Sequence, residues 1–361
     1  MSELIKTDCR FYLGDRPCKP HKEHGVHCSD CAYYDPVAQR ILIIKLGAAG
    51  DVIRTTPILR RLKKEYPHAS ITWLTDFPDL LPSLVDEKIK FSERVVQWLS
   101  SRSFDICFSL DKDREAIALA EKVKARKKFG FGMDEYGKAR AFNKLAEEKL
   151  RTGVFDDVSK RNTRSYPQEI FGICGYEFQG EQYVLDNRSK RDFGLGHRRP
   201  IVGLNTGCGA RWPSRLWPLE HWTALAKSIK AAGAEYVWLG GPEEVERNKK
   251  LHARLKGHYF GVMPLEDYIG LVGQCDIVVT QVTMTLHIAL GLEKKVVLLN
   301  NIFNSNEFEM YGLGVIVEPD KPCGCYYTPV CPHDSMRSIT PSKVFREVGT
   351  YIQLLRKKKS H

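Results

Sequence analysis

The sequence predicts an α/β protein built from two doubly wound lobes behind a cysteine-rich leader, and three observations carry that prediction. Two long stretches alternate short apolar runs with segments of helix length, one ending near residue 187 and the other starting near residue 200. A basic, Gly-rich break separates them, Arg188-Ser189-Lys190-Arg191 followed by Gly194-Leu195-Gly196-His197-Arg198-Arg199-Pro200, which suits a linker. The length, 361 residues, exceeds one ordinary domain and allows each lobe its own core. The expected divisions are a leader over 1–40, lobes over 41–187 and 188–320, and a tail over 321–361. Two such lobes place a cleft between the carboxyl ends of their sheets, where ligands usually bind.

The first lobe opens with Ile41-Leu42-Ile43-Ile44-Lys45-Leu46, a continuous apolar run that reads as a buried parallel strand. The turn Gly47-Ala48-Ala49-Gly50 follows, and then a helix is expected from about Asp51 to Glu65. Further strands are expected at 70–75 and 104–110, and helices at 114–124 and 138–150. In the second lobe the expected strands are 201–205, 236–239, 277–280 and 296–299, with helices near 219–232, 243–255 and 283–290. A last helix is expected over 342–357, ending in Arg356-Lys357-Lys358-Lys359.

Composition narrows the function. Hydrophobic content of 43% and charged content of 27% are those of a folded globular protein. Neither a signal peptide in the first ten residues nor a run of about 18 apolar residues is present, so a cytoplasmic chain is expected. The net charge of +11 favours an anionic partner: a nucleotide, a phosphate-rich glycolipid, nucleic acid or a membrane surface. The basic C-terminal end suits a peripheral touch on an anionic bilayer, with a solvated tail as the plainer alternative.

Four turns carry candidate chemistry. The first Gly loop, with Gly47 and Gly50, sets Asp51 at a helix start, where a carboxylate either takes a proton or caps the helix. In the second lobe Asn205-Thr206-Gly207-Cys208-Gly209-Ala210 leads into Arg211-Trp212-Pro213-Ser214-Arg215-Leu216-Trp217-Pro218. That segment offers amides, cations and flat rings to a diphosphate, with Arg215 as the phosphate clamp and core packing of the tryptophans as the alternative. Glu244, in the turn Leu239-Gly240-Gly241-Pro242-Glu243-Glu244, is placed to accept ribose hydroxyls. Thr283, Thr285 and His287 start a helix whose free amides suit an anion, with a satisfied core histidine as the alternative for His287.

In this order and spacing, residues 41 to 320 resemble family 9 glycosyltransferases, the heptosyltransferase family with the GT-B fold. The matching stretches are Ile41 through Pro57, Asn205-Thr206-Gly207 with Arg215-Leu216-Trp217-Pro218, Leu239 through Glu244, and Met284 through Gly291. The resemblance implies two Rossmann-like lobes and an inverting, metal-independent transfer of a heptose from ADP-L-glycero-D-manno-heptose to a lipopolysaccharide core sugar. It makes Asp51 the base and Arg215 a donor-phosphate contact. One position departs from the family: Val282 stands where an acidic residue usually opens the stretch before the helix, and Met284 where a glycine is usual. This leaves open another donor sugar, or a protein or other surface glycan as acceptor.

The eleven cysteines fall into two clusters and four single positions. Cys9, Cys18, Cys28 and Cys31, with one C-x-x-C pair and His21, His24 and His27 nearby, read as a structural zinc or iron site. Cys323, Cys325, Cys331 and His333 form a second candidate cluster or complete the first. A basic, metal-stapled nucleic-acid-binding protein is the alternative from another class, opposed by the even spread of basic residues and the lack of a nucleic-acid motif.

Overall fold

The structure is a computed structural model and describes residues 5–196, 200–321 and 323–359, with side chains up to residue 357. The His197-Arg198-Arg199 part of the expected linker lies outside the described residues, as do Met1–Leu4 and the side chains of Lys358 and Lys359. The chain forms two compact units, one of Met1–Gly47, Pro57–Glu147 and Ile170–Tyr176, the other of Ala48–Thr56, Glu148–Glu169 and Glu177–His361.

The first unit holds a sheet of six strands: β1 (Gln39–Ile44), β2 (Ala69–Thr75), β3 (Glu87–Lys90), β4 (Ser103–Ser109), β5 (Lys124–Met133) and β6 (Ala139–Ala141). Their order is β3-β2-β1-β4-β5-β6, parallel except for the β5–β6 pair. Ile41, Leu42, Ile43 and Ile44 are all fully buried, as a central strand covered on both faces requires.

Three expectations for the first half of the chain are corrected. The helix expected over 51–65 is two helices, Ala49–Thr55 and Ile58–Glu65. Pro57 has no N–H to continue the ladder, and the Ile53 carbonyl accepts instead from the N–H and hydroxyl of Thr56, at 3.0 and 2.7 Å. The helix expected over 114–124 ends at Lys122, and β5, which follows it, was not anticipated. Residues 138–143 are not helical either. Asp134 accepts from the amides of Tyr136 and Lys138, turning the chain so that β6 pairs back on β5, and the helix starts only at Lys144.

The second unit holds β7 (Ile201–Asn205), β8 (Glu235–Leu239), β9 (Ile277–Gln281), β10 (Lys295–Leu299) and β11 (Gly314–Val317), all parallel in the order β11-β10-β9-β7-β8. Helices Leu219–Ala231, Val245–Leu255 and Met284–Gly291 lie within a residue or two of expectation, whereas Leu265–Gly273 and β11 were not foreseen. Trp217, Trp222 and Trp238 fill the core, where the Trp217 indole donates to the Ile339 carbonyl at 2.8 Å. The last helix, Pro341–Lys359, buries Val344, Val348 and Ile352, one stripe at helical spacing, in the same core. Among the described residues no helix is long and apolar enough to cross a membrane.

Candidate functional site

Chain order reverses across β7, which has β8 on one side and β9 on the other. In an open parallel sheet the loops leaving such a strand diverge and leave a crevice at its carboxyl end. A cavity of about 760 Å³ lies there, within the second unit, lined from the ends of β7, β8 and β9 and by residues 48–51 and Arg54. That volume suits a nucleotide-sized ligand.

The loops are tied together by polar side chains. The Asn205 amide donates to the hydroxyls of Thr280 and Thr283 at 2.9 and 3.1 Å, joining the ends of β7 and β9. Thr283 caps the helix Met284–Gly291, accepting from the Thr285 amide at 3.2 Å. The Thr285 hydroxyl meets that of Tyr268 at 2.7 Å.

Arg215 is 9% exposed, and its guanidinium donates to the carbonyls of Cys208, at 3.0 Å, and Val282. It therefore braces the two diverging loops as well as lining the cavity. Its Nε is buried and makes no hydrogen bond, and among the described residues no carboxylate pairs with this side chain. Burial lowers its pKa, the cost of an uncompensated charge.

On the opposite wall Asp51 both lines the cavity and accepts from the Ala48 amide at 3.3 Å, so the capping role is real and coexists with cavity exposure. Its other oxygen lies 2.9 Å from Nε of Arg54, whose guanidinium stacks 3.7 Å above the Tyr166 ring. Burial opposes the charge of Arg54, but Asp51, Tyr166 and Glu307 outweigh it and raise its pKa. The short helix carrying Asp51 sits directly on the helix Met284–Gly291: a Cβ on Gly50 would come within 2.7 Å of His287. His287 is consequently buried, and its Nδ1 lies 3.3 Å from the Tyr183 hydroxyl. Burial, aided by Arg54, pushes its pKa down to about 3, so the ring is neutral at physiological pH.

Glu244 accepts from the Gly241 amide at 2.8 Å, and its side chain occupies the space a Cβ on Gly207 would need. Asn205, Gly207, Arg215, Glu244, Thr283, Thr285 and His287 thus share one cavity with Gly50 and Asp51. Thr206 and Gly47 are elsewhere. The Thr206 hydroxyl is turned away to Asn248 at 2.5 Å, and the Gly47 amide faces Asp111 at 3.3 Å in the first unit. Of the two candidate tryptophans, Trp212 lines the cavity and Trp217 is core. The cavity also gathers Arg54, Tyr268, Phe303, Glu307 and Tyr327, which had not been singled out. Only Arg54 had a readable signal, its position one turn after Asp51.

The cysteines separate into two arrangements. Cys9, Cys18, Cys28 and Cys31 line a single cavity of about 260 Å³ with His21 and His27. Among the described residues the one group of three ligand atoms lying within 4.8 Å of one another is Cys323, Cys325 and Cys331, without His333. Lone Cys107, Cys174, Cys208 and Cys275 are buried as small core residues.

Two sheets, parallel but for the β5–β6 pair, with a ligand-sized cavity at the switch point of the second, define a doubly wound α/β protein of two Rossmann-like sheets. Residues 93–311 match glycosyltransferase family 9 (heptosyltransferase), and the chain belongs to that family. It is 23% identical over 291 residues to lipopolysaccharide heptosyltransferase 2 of Salmonella typhimurium, covering 72% of this chain and 82% of that one. Among solved structures, a family 9 glycosyltransferase from Veillonella parvula superposes with a TM-score of 0.67 at 18% identity, covering 88% of this chain and 98% of that one. Escherichia coli ADP-heptose lipopolysaccharide heptosyltransferase II does so with a TM-score of 0.64 at 18% identity, covering 87% and 99%.

Proposed function

We propose that the protein is an inverting, metal-independent heptosyltransferase that moves a heptose from ADP-L-glycero-D-manno-heptose to a lipopolysaccharide core or related surface-glycan acceptor. The observation that carries this reading is Arg215, a buried cation with no carboxylate partner among the described residues, facing a nucleotide-sized cavity. An anionic ligand such as a diphosphate supplies the missing counter-charge. In this reading Asp51 takes the proton of the acceptor hydroxyl as it attacks the anomeric carbon, and ADP leaves. Arg54 holds the Asp51 carboxylate in place. Arg215 and the amides of the β7 and β9 loops stabilise the charge that grows on the leaving diphosphate. Glu244 accepts from ribose hydroxyls, and Thr283, Thr285 and neutral His287 complete the donor side.

The leader's cysteines are proposed as a structural zinc or iron site and the cationic end of the last helix as a peripheral contact with an anionic inner membrane, in a cytoplasmic enzyme. A second reading keeps the fold and changes the donor sugar. The observation favouring it is Val282, whose carbonyl is bound by Arg215 and whose side chain brings no charge to the cavity.

Calorimetric titration with ADP-heptose, ADP, UDP and GDP tests the donor. Selective binding of the adenine ligands, weakened about 10- to 100-fold by Arg215→Ala, is the expected result. Equal or absent binding of all four removes the proposed donor. Asp51→Ala is expected to cut transfer by about 10²- to 10⁴-fold with ADP affinity unchanged; turnover near that of the unmodified enzyme rules Asp51 out as the base.

A further inference from the structure

The segment from Cys323 to Ser335 forms part of the cavity wall. Tyr327 lines the cavity, its ring edge-on to Trp212 at 5.6 Å and to Phe303 at 5.0 Å between centroids. The same loop is fastened by hydrogen bonds to Ser214, the residue before Arg215. The Ser214 hydroxyl donates to the Thr328 carbonyl at 2.8 Å and its amide to the Pro329 carbonyl at 3.0 Å. Asn301 bridges the Ser214 carbonyl, at 2.9 Å, and the Ser335 hydroxyl, at 3.0 Å. The loop so fastened runs from Tyr326 to Val330, between Cys325 and Cys331.

The three thiols at its ends are arranged as metal ligands are. The sulfurs of Cys323 and Cys331 are 3.4 Å apart, and all three lie within 4.8 Å of one another. Thiolates about 2.3 Å from a tetrahedral ion stand a little under about 4 Å apart. The Cys325 amide also points at the Cys323 sulfur at 3.4 Å, an interaction that stabilises a thiolate once it is bound. Three half-buried thiols at this spacing suit a soft or borderline ion such as zinc or iron, with the fourth position left for water or another donor.

We propose that Cys323, Cys325 and Cys331 bind one thiophilic metal ion, and that this ion positions the donor side of the cavity by closing the loop that holds Tyr327 and Ser214. The ion is structural in the sense that it touches no reacting atom; it acts through Ser214, next to Arg215, and through Tyr327. The coupling to ligand binding rests on the cavity being the nucleotide-sugar site, whereas the metal site itself does not.

The test uses full-length protein purified anaerobically, with Cys325→Ser and Cys331→Ser compared with the unmodified chain by metal analysis, circular dichroism and calorimetric titration with ADP. Each variant is expected to lose about one equivalent of zinc or iron, remain folded, and bind ADP about tenfold or more weakly. Tyr327→Ala should keep the metal and lose ADP affinity. Because a serine variant can fail to fold, chelation followed by ADP titration, and restoration with added zinc or ferrous ion, is carried out on both the unmodified protein and Cys28→Ser, which removes a leader metal, so that a loss seen in both belongs to the Cys323, Cys325 and Cys331 site. Metal content unchanged by both serine substitutions, or a disulfide between two of these cysteines in metal-free protein, overturns the site. Loss of metal with ADP affinity unchanged overturns the coupling. If the metal is present but no form binds ADP, the nucleotide reading of the cavity fails and the coupling with it, while the metal site stands.

Discussion

The two sheets solve the same topological problem with opposite electrostatics. In each, one strand has the chain departing in both directions, β1 in the first and β7 in the second, and in each a buried cation stands at its carboxyl end. At β1 the cation is Lys45. Its ammonium lies 3.1 Å from Asp111, which also accepts from the amides of Leu46 and Gly47 at 3.0 and 3.3 Å. The crevice amides and the charge are therefore consumed internally. At β7 the cation is Arg215, held by two carbonyls and by the rings of Trp212 and Phe303, with no carboxylate partner among the described residues. A buried charge is costly unless paired; the first switch point is completed by its own chain, and at the second the proposed diphosphate would supply the counter-charge. Equivalent topology thus predicts where a ligand can bind, and the local charge balance decides whether one does.

The largest effect expected from this contrast is on stability. Asp111→Asn keeps the shape of the side chain and removes the counter-charge of Lys45, and should cost about 3 kcal/mol or more. Arg215→Ala, which is expected to lose nucleotide affinity, removes a buried charge that lacks a carboxylate and should cost clearly less. Urea denaturation of both variants without ligand is the measurement. If Arg215→Ala is the more destabilised, the bracing bonds to Cys208 and Val282 outweigh the charge, and the two switch points do not differ as described.

How much of this was readable beforehand follows from where each signal is stored. Ile41 to Ile44 announce a buried strand because both faces of a central parallel strand must be apolar, and a continuous run admits few other readings. β5 carries Lys124, Arg126, Lys127 and Lys128, and its pairing with β4, from Ser103 opposite Lys124 to Ser109 opposite Gly130, and with β6 makes it a strand. Pro57 was visible, but a proline near a helix start is as often tolerated as disruptive, so the break after Thr55 needed the structure. At the candidate site, residues that sit on strand ends could be named from turns. Glu307, Tyr268 and Tyr327 reach the cavity from segments without a local motif, and the role of Thr206 was misjudged because only the fold turns its hydroxyl toward Asn248. Arg215 was legible as a cation at the right turn, but its bracing of two loops depends on carbonyls 7 and 67 residues away.

A second, smaller effect concerns the neighbour of the second switch point. His287 is held neutral, its pKa pushed from 6.5 down to about 3. Below pH 6.5 the unfolded chain binds a proton here that the folded chain refuses. Stability from this residue is therefore complete above pH 6.5 and falls as the pH drops toward 3, by at most about 1.4 kcal/mol per pH unit. His287→Gln should flatten that part of the stability profile, read as the urea midpoint between about pH 4 and pH 7. An unchanged slope would mean that the ring is protonated in the folded state, which would add a cation beside Arg54 and alter the charge balance inferred for the cavity.

The smallest effect probes the carboxylate that comes nearest to spoiling the contrast. Glu244 lines the same cavity as Arg215, yet it is held by the Gly241 amide at 2.8 Å and forms no ion pair with the arginine. If it serves the ribose of the donor instead, the enzyme should prefer ADP to 2′,3′-dideoxy-ADP, and Glu244→Gln should shrink that preference by about 1 to 2 kcal/mol, roughly a five- to thirtyfold loss of discrimination. Competition binding with the two nucleotides measures it. A variant that instead binds both nucleotides more tightly by the same factor identifies Glu244 as a charge that opposes the diphosphate. The second switch point would then carry an internal anion after all, and its difference from the first would be one of degree.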